Sequence, residues 1–268
     1  MNMNEVSIAQ QDFLRSQKKH KRIVHVSRLC IFLLFLILWE GAAQAGAIDS
    51  FIFSSPSKVL LCAYGMVLDH SLFSHIGITL FETISSFGLV IVSTLIVTIL
   101  LWYNKRISEA LEPYLVVLNS LPKSALAPLL IVWLGANYTT IIITGMSVAI
   151  FGSILSLYTS FQSVDAEKVK LIYTLGGRKY QALTKVILPS SIPSLFSIMK
   201  VNIGLCLVGV IIGEFIASRK GLGYLIIYGS QVFKLDWVIM SITILCILAC
   251  VLYGLISGLE KCYLKQLS

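Results

Sequence analysis

Residues 83–103 read TISSFGLVIVSTLIVTILLWY, 21 positions without one charged side chain. Roughly 20 apolar residues in a helix cross the roughly 30 Å hydrocarbon core of a bilayer. The run stops at Asn104-Lys105-Arg106. Outward from it, Trp237–Leu259 repeats the pattern over 23 residues and Ser124–Val164 over 41, about twice one crossing. Leu29–Ile48 is interrupted only by Glu40, and Pro193–Gly213 only by Lys200. With a mean hydropathy of +0.87 and 13% charged residues, the chain reads as an all-α membrane protein of about six spans.

The net charge of +8 suggests a polyanion partner until the charges are placed. With the N-terminus on the cytoplasmic side, the inner segments hold fifteen Lys and Arg (six between Arg15 and Arg28, then Lys105, Arg106, Lys168, Lys170, Arg178, Lys179, Lys185, Lys261 and Lys265). The outer segments hold four, Lys58, Arg219, Lys220 and Lys234. That asymmetry follows the positive-inside rule, so the basic balance reports topology and not nucleic-acid binding.

The organisation follows. Residues 1–22 form a polar cytoplasmic segment, and 23–268 one transmembrane domain with spans near 24–46, 75–103, 111–135, 138–161, 192–216 and 237–260. Both termini are cytoplasmic. Val59–Leu68 reads as an interfacial helix. A basic start, apolar Leu29–Trp39 and AAQAGA resemble a secretory signal, but the apolar stretch extends to a full span. Gly135-Ala136-Asn137 is the best turn in the 41-residue run. Placing the turn there makes the third span reach back toward Pro113 and puts Lys123 inside it, beside Pro122. The other division, a span at 124–145, leaves Lys123 at the interface.

Bond-breaking chemistry is not written in these residues. The six cysteines form no CxxC pair, and the histidines at 20, 25, 70 and 75 lack metal spacing. No catalytic triad, phosphate-binding loop or paired carboxylates are visible. A secondary transporter or channel is the rival reading, but the inverted repeats expected of such transporters are not convincing here.

One segment is out of place among the apolar runs: GGRKYQALTKVILPSSIP, residues 176–193. Before it, Asp165 is a good N-cap and Glu167 adds negative charge to a first turn. Ala166, Val169 and Ile172-Tyr173 recur at helical spacing until Gly176-Gly177 stops the helix. A second short helix carries Tyr180, Leu183 and Val186-Ile187 on one side and Arg178, Lys179, Gln181 and Lys185 on the other, with Pro189 predicted to bend the chain into the next span. The physics leaves two readings open: surface helices held to anionic lipid, or a docking element for a cytoplasmic partner.

The segment resembles the cytoplasmic EAA loop of ABC importer permeases, EAA-x3-G-x9-I-x-L-P. Gly176 and Leu188-Pro189 match in spacing, Val186 stands for the isoleucine, and Lys170-Leu171-Ile172 replace Glu-Ala-Ala. Trp39-Glu40, Pro56-Ser57, Leu121-Pro122, Pro128, Trp133-Leu134-Gly135, Glu214 and Gly221-Leu222-Gly223-Tyr224 are similar to the permeases for sulfonates, taurine, nitrate and related molecules. Lys200 stands where arginine is usual there, Ile198 replaces a usual glycine, and Glu82 stands where arginine is common. The resemblance implies a type I ABC importer permease fold in a bacterial inner membrane, with the loop at 163–190 coupling to a cytoplasmic ATPase dimer. Asp165, Val169, Ile172, Gly176, Gly177, Tyr180, Val186, Leu188 and Pro189 are its implied coupling residues. A second permease copy in a homodimer, an extracytoplasmic binding protein and membrane lipid are the implied partners. The chain itself needs no cofactor, because ATP and Mg are bound by the ATPase. Lys123, Lys200 and Glu214 are the candidate charges of a path for a small anionic solute; snorkelling of Lys200 and a structural hydrogen bond of Glu214 are the competing roles. Trp133, Trp237 and Tyr224 read most simply as interfacial anchors.

Overall fold

A computed structural model describes residues 8–267, in which helices joined by short turns and loops are the regular structure, without strands among those residues. Residues 1–7 of the proposed cytoplasmic segment lie outside the described residues. The helices are α1 (Ile8–Gln44), α2 (Pro56–Leu68), α3 (Ser71–Tyr103), α4 (Lys105–Ser120), α5 (Lys123–Leu134), α6 (Tyr138–Gln162), α7 (Ala166–Thr174), α8 (Lys179–Ala182), α9 (Leu188–Ala217), α10 (Leu222–Gln231) and α11 (Leu235–Leu267). A π turn, Leu183–Ile187, joins α8 to α9.

The chain divides into two compact units at residues 62 and 63. In the first, α1 continues from its polar start into an apolar stretch. Glu40 then accepts from the Ser57 N–H at 3.0 Å and from Gln44 Nε2 at 2.9 Å. In the second unit, α3, α6 and α9 form the centre. Side chains that cap helix ends set the turns. Asn104 Oδ1 accepts from the Arg106 and Ile107 N–H groups to start α4, and Asn137 Oδ1 accepts from Thr140 N at 3.0 Å to start α6.

Lipid tails are as apolar as leucine, so helix association in a bilayer depends on close packing and hydrogen bonds between helices. Both occur here. A Cβ added to Gly209 of α9 would stand 2.8 Å from Gly145 Cα of α6, so the two backbones meet there without side chains between them. Ser86 of α3 donates to the Ile142 carbonyl of α6 at 3.0 Å. Val90, Ala149 and Cys206 close the three-helix contact, and Ile203 packs with Leu252 and Ile256 of α11.

Among the described residues, five helical stretches are long and apolar enough to cross a membrane, and α4 with α5 makes a sixth if the bent pair is one span. Two expectations need correction. The third span, expected as one helix over 111–135, bends by 96° between α4 and α5. Pro122 disfavours helical geometry in the residue before it, and Leu121 is extended at φ −62°, ψ 140°. The second correction concerns Pro189, which does not bend the chain into the fifth span. Residues 179–217 run on as one helical stretch, and Leu188 has helical dihedrals. Proline lacks an N–H and crowds the carbonyl four residues back. The π turn widens the helix just before it, with Leu188 N bonded to the Leu183 carbonyl.

Candidate functional site

The loop at 163–190 is built from α7, a two-glycine elbow, α8 and the π turn. Asp165 Oδ1 accepts from the Glu167 N–H at 2.9 Å and starts α7. Its end is a Schellman turn: Gly177 N bonds to the Ile172 carbonyl at 2.8 Å, and Gly176 N to the Tyr173 carbonyl at 3.0 Å. Gly176 is left-handed at φ 77°, with open space where a Cβ would stand. Gly177 is required for a different reason. A Cβ there would lie 2.7 Å from the Ile172 carbonyl oxygen and would overlap the Ile172 side chain. The elbow then restarts as α8, where Gln181 Oε1 accepts from the Arg178 N–H at 2.7 Å.

The loop has an inner and an outer face. Ala182, Leu183 and Ile187 are buried. Leu183 and Ile187 pack with Leu157 and Phe161 of α6, and Val169 and Leu188 lie against that cluster. Val186 is half-buried and Pro189 exposed. The outer face carries Leu171, Tyr173, Leu175 and Tyr180, which are 57%, 45%, 75% and 66% exposed. Of the expected coupling residues, then, Tyr180 points outward, while Val169 and Leu188 hold the loop to the bundle. Leu171, Tyr173 and Leu175 were not among the expected coupling residues. Leu171 and Tyr173 flank Ile172, and Leu175 follows it by about one turn, so their apolar character beside that stripe was the available signal.

Lys179 was also missed. Its Nζ donates to the Tyr103 carbonyl at 2.7 Å and lies 5.3 Å from the Trp102 ring centre and 5.4 Å from that of Tyr103. The loop is thereby fastened to the last residue of α3, where the helix dipole favours a cation.

The three candidate intramembrane charges each have their own partners. Lys123, the first residue of α5, donates to the Leu118 carbonyl at 3.2 Å and to the Asn119 carbonyl, both in the last turn of α4. Lys200 Nζ is 2.8 Å from Glu260 Oε2. Glu214 is wholly buried. It accepts from the Thr79 hydroxyl at 2.6 Å and from the Gly223 N–H at 2.5 Å, and Thr79 in turn accepts from Leu222 N at 2.8 Å. The start of α10 thus wraps the Glu214 carboxylate, and Gly221 passes so close that a Cβ there would overlap it. Beside Glu214 stands Glu82, also wholly buried, whose side chain interacts with the Glu214 carboxyl and has no other partner among the described residues. The sequence offered no pattern that could bring these two carboxyls together.

Residues 91–259 match the protein family described as binding-protein-dependent transport system inner membrane component. The chain is 27% identical over 194 residues to the formylaminopyrimidine transport permease protein ThiX of Halalkalibacterium halodurans, covering 72% of this chain and 76% of that one. It is 23% identical over 222 residues to the taurine transport system permease protein TauC of Escherichia coli, covering 81% and 80%. The fold is shared with a crystal structure of an amino acid ABC transporter with histidines, at a TM-score of 0.55 and 21% identity over 74% of this chain and 97% of that one.

Proposed function

The chain belongs to the family of binding-protein-dependent transport system inner membrane components, and from that premise we propose that it forms the solute path of an ATP-driven importer and passes on the motion of cytoplasmic ATPases through residues 163–190. It is a multi-pass membrane protein and an ABC importer permease related to the sulfonate and taurine permeases. In the proposed assembly, two copies of this chain stand over two ATPase subunits, and an extracytoplasmic binding protein delivers the solute. ATP and Mg belong to the ATPases. Both termini of the permease lie in the cytoplasm of a bacterial cell.

One observation carries the reading. The elbow turns Leu171, Tyr173, Leu175 and Tyr180 outward while its inner side is fixed to α6 and to the end of α3. A short helix with exposed apolar anchors and a rigid back suits insertion into a groove of a partner. Movement of that partner would then be transmitted to α6, α3 and α9, rocking the subunit between two access states. The relatives named for taurine and formylaminopyrimidine support a small organic solute, and the sulfonate-type resemblance supports one with an oxyanion face.

Co-purification tests the docking. The chain with Leu175→Glu and Tyr180→Glu should reach the membrane and lose its ATPase partner. Retention of the ATPase by that variant would refute the assignment of the elbow. Cysteine introduced at Lys170 tests the orientation: reaction with an impermeant reagent from outside intact cells would refute cytoplasmic termini.

A further inference from the structure

Next to the Gly145–Gly209 crossing, a cleft of about 410 Å³ opens among α6, α9 and the end of α4. Its polar lining is Asn119, Ser153, Ser156, Ser197 and Asn202, set among apolar neighbours. Gly152 and Asn202 fall near the middles of α6 and α9, so the cleft lies at mid-bilayer depth. A second groove of about 460 Å³ shares Ser156, Ser197 and Ile198 with it. That groove continues along Ser160, Ser163 and Ser194 to the end of the bundle that carries α7. Among the described residues, no charged side chain lines either one.

Hydroxyls along a helix can bond to their own backbone, so the serine row alone would say little. Asn202 says more. It is 2% exposed, and its Nδ2 has no hydrogen-bond partner. Ser153 Oγ sits 2.8 Å from Asn202 Oδ1 and 2.6 Å from the Ala149 carbonyl. One hydroxyl satisfies only one end of the amide, so in either orientation of the amide the other end is left unpaired at mid-membrane. Buried polar groups without partners are costly, and lipid can supply none. Asn202 belongs to the cleft lining, so a polar group entering the cleft is what could complete that amide.

We propose that this cleft and groove are the resting place and the way out of the solute, and that uncharged groups hold it there, Asn202 foremost. The solute is then a small polar molecule recognised through its oxygen or amide groups and not through its net charge. This rests on the importer reading above and changes one expectation within it. Lys123 is bound to the end of α4 and lines neither cavity, so it does not select an anion.

The test needs no knowledge of the natural solute. Ser156→Cys, Ser194→Cys and, as a control, Val251→Cys on the outward face of α11 are placed in the reconstituted complex of permease, ATPase and binding protein. Each is treated with sulfonatoethyl methanethiosulfonate, an anion, and with trimethylammonioethyl methanethiosulfonate, a cation, and modification is read site by site by mass spectrometry. Only a thiolate reacts, and thiolates form in water. Positions 156 and 194 should therefore react at least about tenfold faster than 251. After correction for reaction with a free thiol, the two reagents should agree within about threefold, because no fixed charge faces them. Adding Asn202→Asp should turn position 156 toward the cation by about tenfold. Reaction at 156 no faster than at 251 would overturn the path. A strong preference for the anion in the unmodified cleft, or no response to Asn202→Asp, would overturn recognition by neutral groups. Continued stimulation of ATP hydrolysis by the binding protein in those same samples would leave the importer reading standing, so the two failures are distinguishable.

Discussion

Lys179 Nζ reaches the main-chain carbonyl of Tyr103 across 2.7 Å and lies over the Trp102 ring. The cation is thus a strut between the elbow and the end of α3. An exposed cation over an aromatic ring contributes about 0.5–1 kcal/mol, and a cation at a helix C-terminus a similar amount. Lys179→Gln should keep membrane insertion and ATPase association and lower the ratio of solute-stimulated to basal hydrolysis. Lys179→Arg should recover much of that ratio. Equal ratios in all three proteins would show that force does not pass through this contact.

Gly176 and Gly177 should fail differently. A side chain at φ 77° costs about 1 kcal/mol or more, and asparagine bears that conformation best. Gly176→Asp should insert normally but lose the ATPase on purification, since it adds backbone strain and a charge next to Leu175. Gly176→Asn should retain more of the partner. Gly177→Ala must displace the Ile172 carbonyl, so it should lose the partner without any added charge. Normal co-purification of Gly177→Ala would show that the elbow tolerates a looser turn than the structure has.

These contacts show how much the sequence could tell. Runs such as Thr83–Tyr103 are so long and uniform that the spans could be counted without knowing how they pack. The elbow was legible because glycine at Gly176 meets a local backbone need. The bend at Leu121-Pro122 was harder. Proline permits both a kink and a break, and in an apolar run polarity does not report where a helix points. The π turn before Pro189 is a local answer to the same ambiguity. Glu82 beside Glu214, and Asn202 beside Ser153, were out of reach because each pair joins different helices and no periodicity links them. The outer face at Leu171 and Leu175 stayed hidden for another reason. Both are apolar, and an apolar residue beside a predicted inner stripe gives no sign in the sequence that it is left exposed.

The two buried carboxyls should respond oppositely to removal. Glu214 satisfies the Thr79 hydroxyl and the Gly223 N–H. Glu214→Ala strands those donors, at about 1–3 kcal/mol for each. The purified variant should aggregate or melt at a clearly lower temperature. Glu82 has only the Glu214 carboxyl beside it, and two carboxylates that close within a bilayer are costly. Glu82→Gln, a neutral side chain of the same shape, should melt at or above the wild-type temperature. A large loss of stability in Glu82→Gln would mean that its carboxyl has a partner in the assembled transporter.

Lys123 gives the last prediction, argued from its place at the bend between α4 and α5. Placed in the middle of a straight third span, its ammonium would demand a water-filled cavity or a carboxylate. At the bend it has neither. It donates to the Leu118 and Asn119 carbonyls, two of the groups that the end of α4 leaves without helical partners. The helix dipole adds about 0.3–1 kcal/mol at such a position. Lys123→Gln can still donate to one of those carbonyls, so it should assemble with the ATPase, melt slightly lower and transport at close to the wild-type rate. Lys123→Leu leaves both carbonyls bare and should cost more stability, again with little change in transport per assembled complex. Uptake and thermal stability measured on the same preparations separate the two roles. If Lys123→Gln lost uptake while its melting temperature held, the ammonium would face the solute, and the bend would be part of the path.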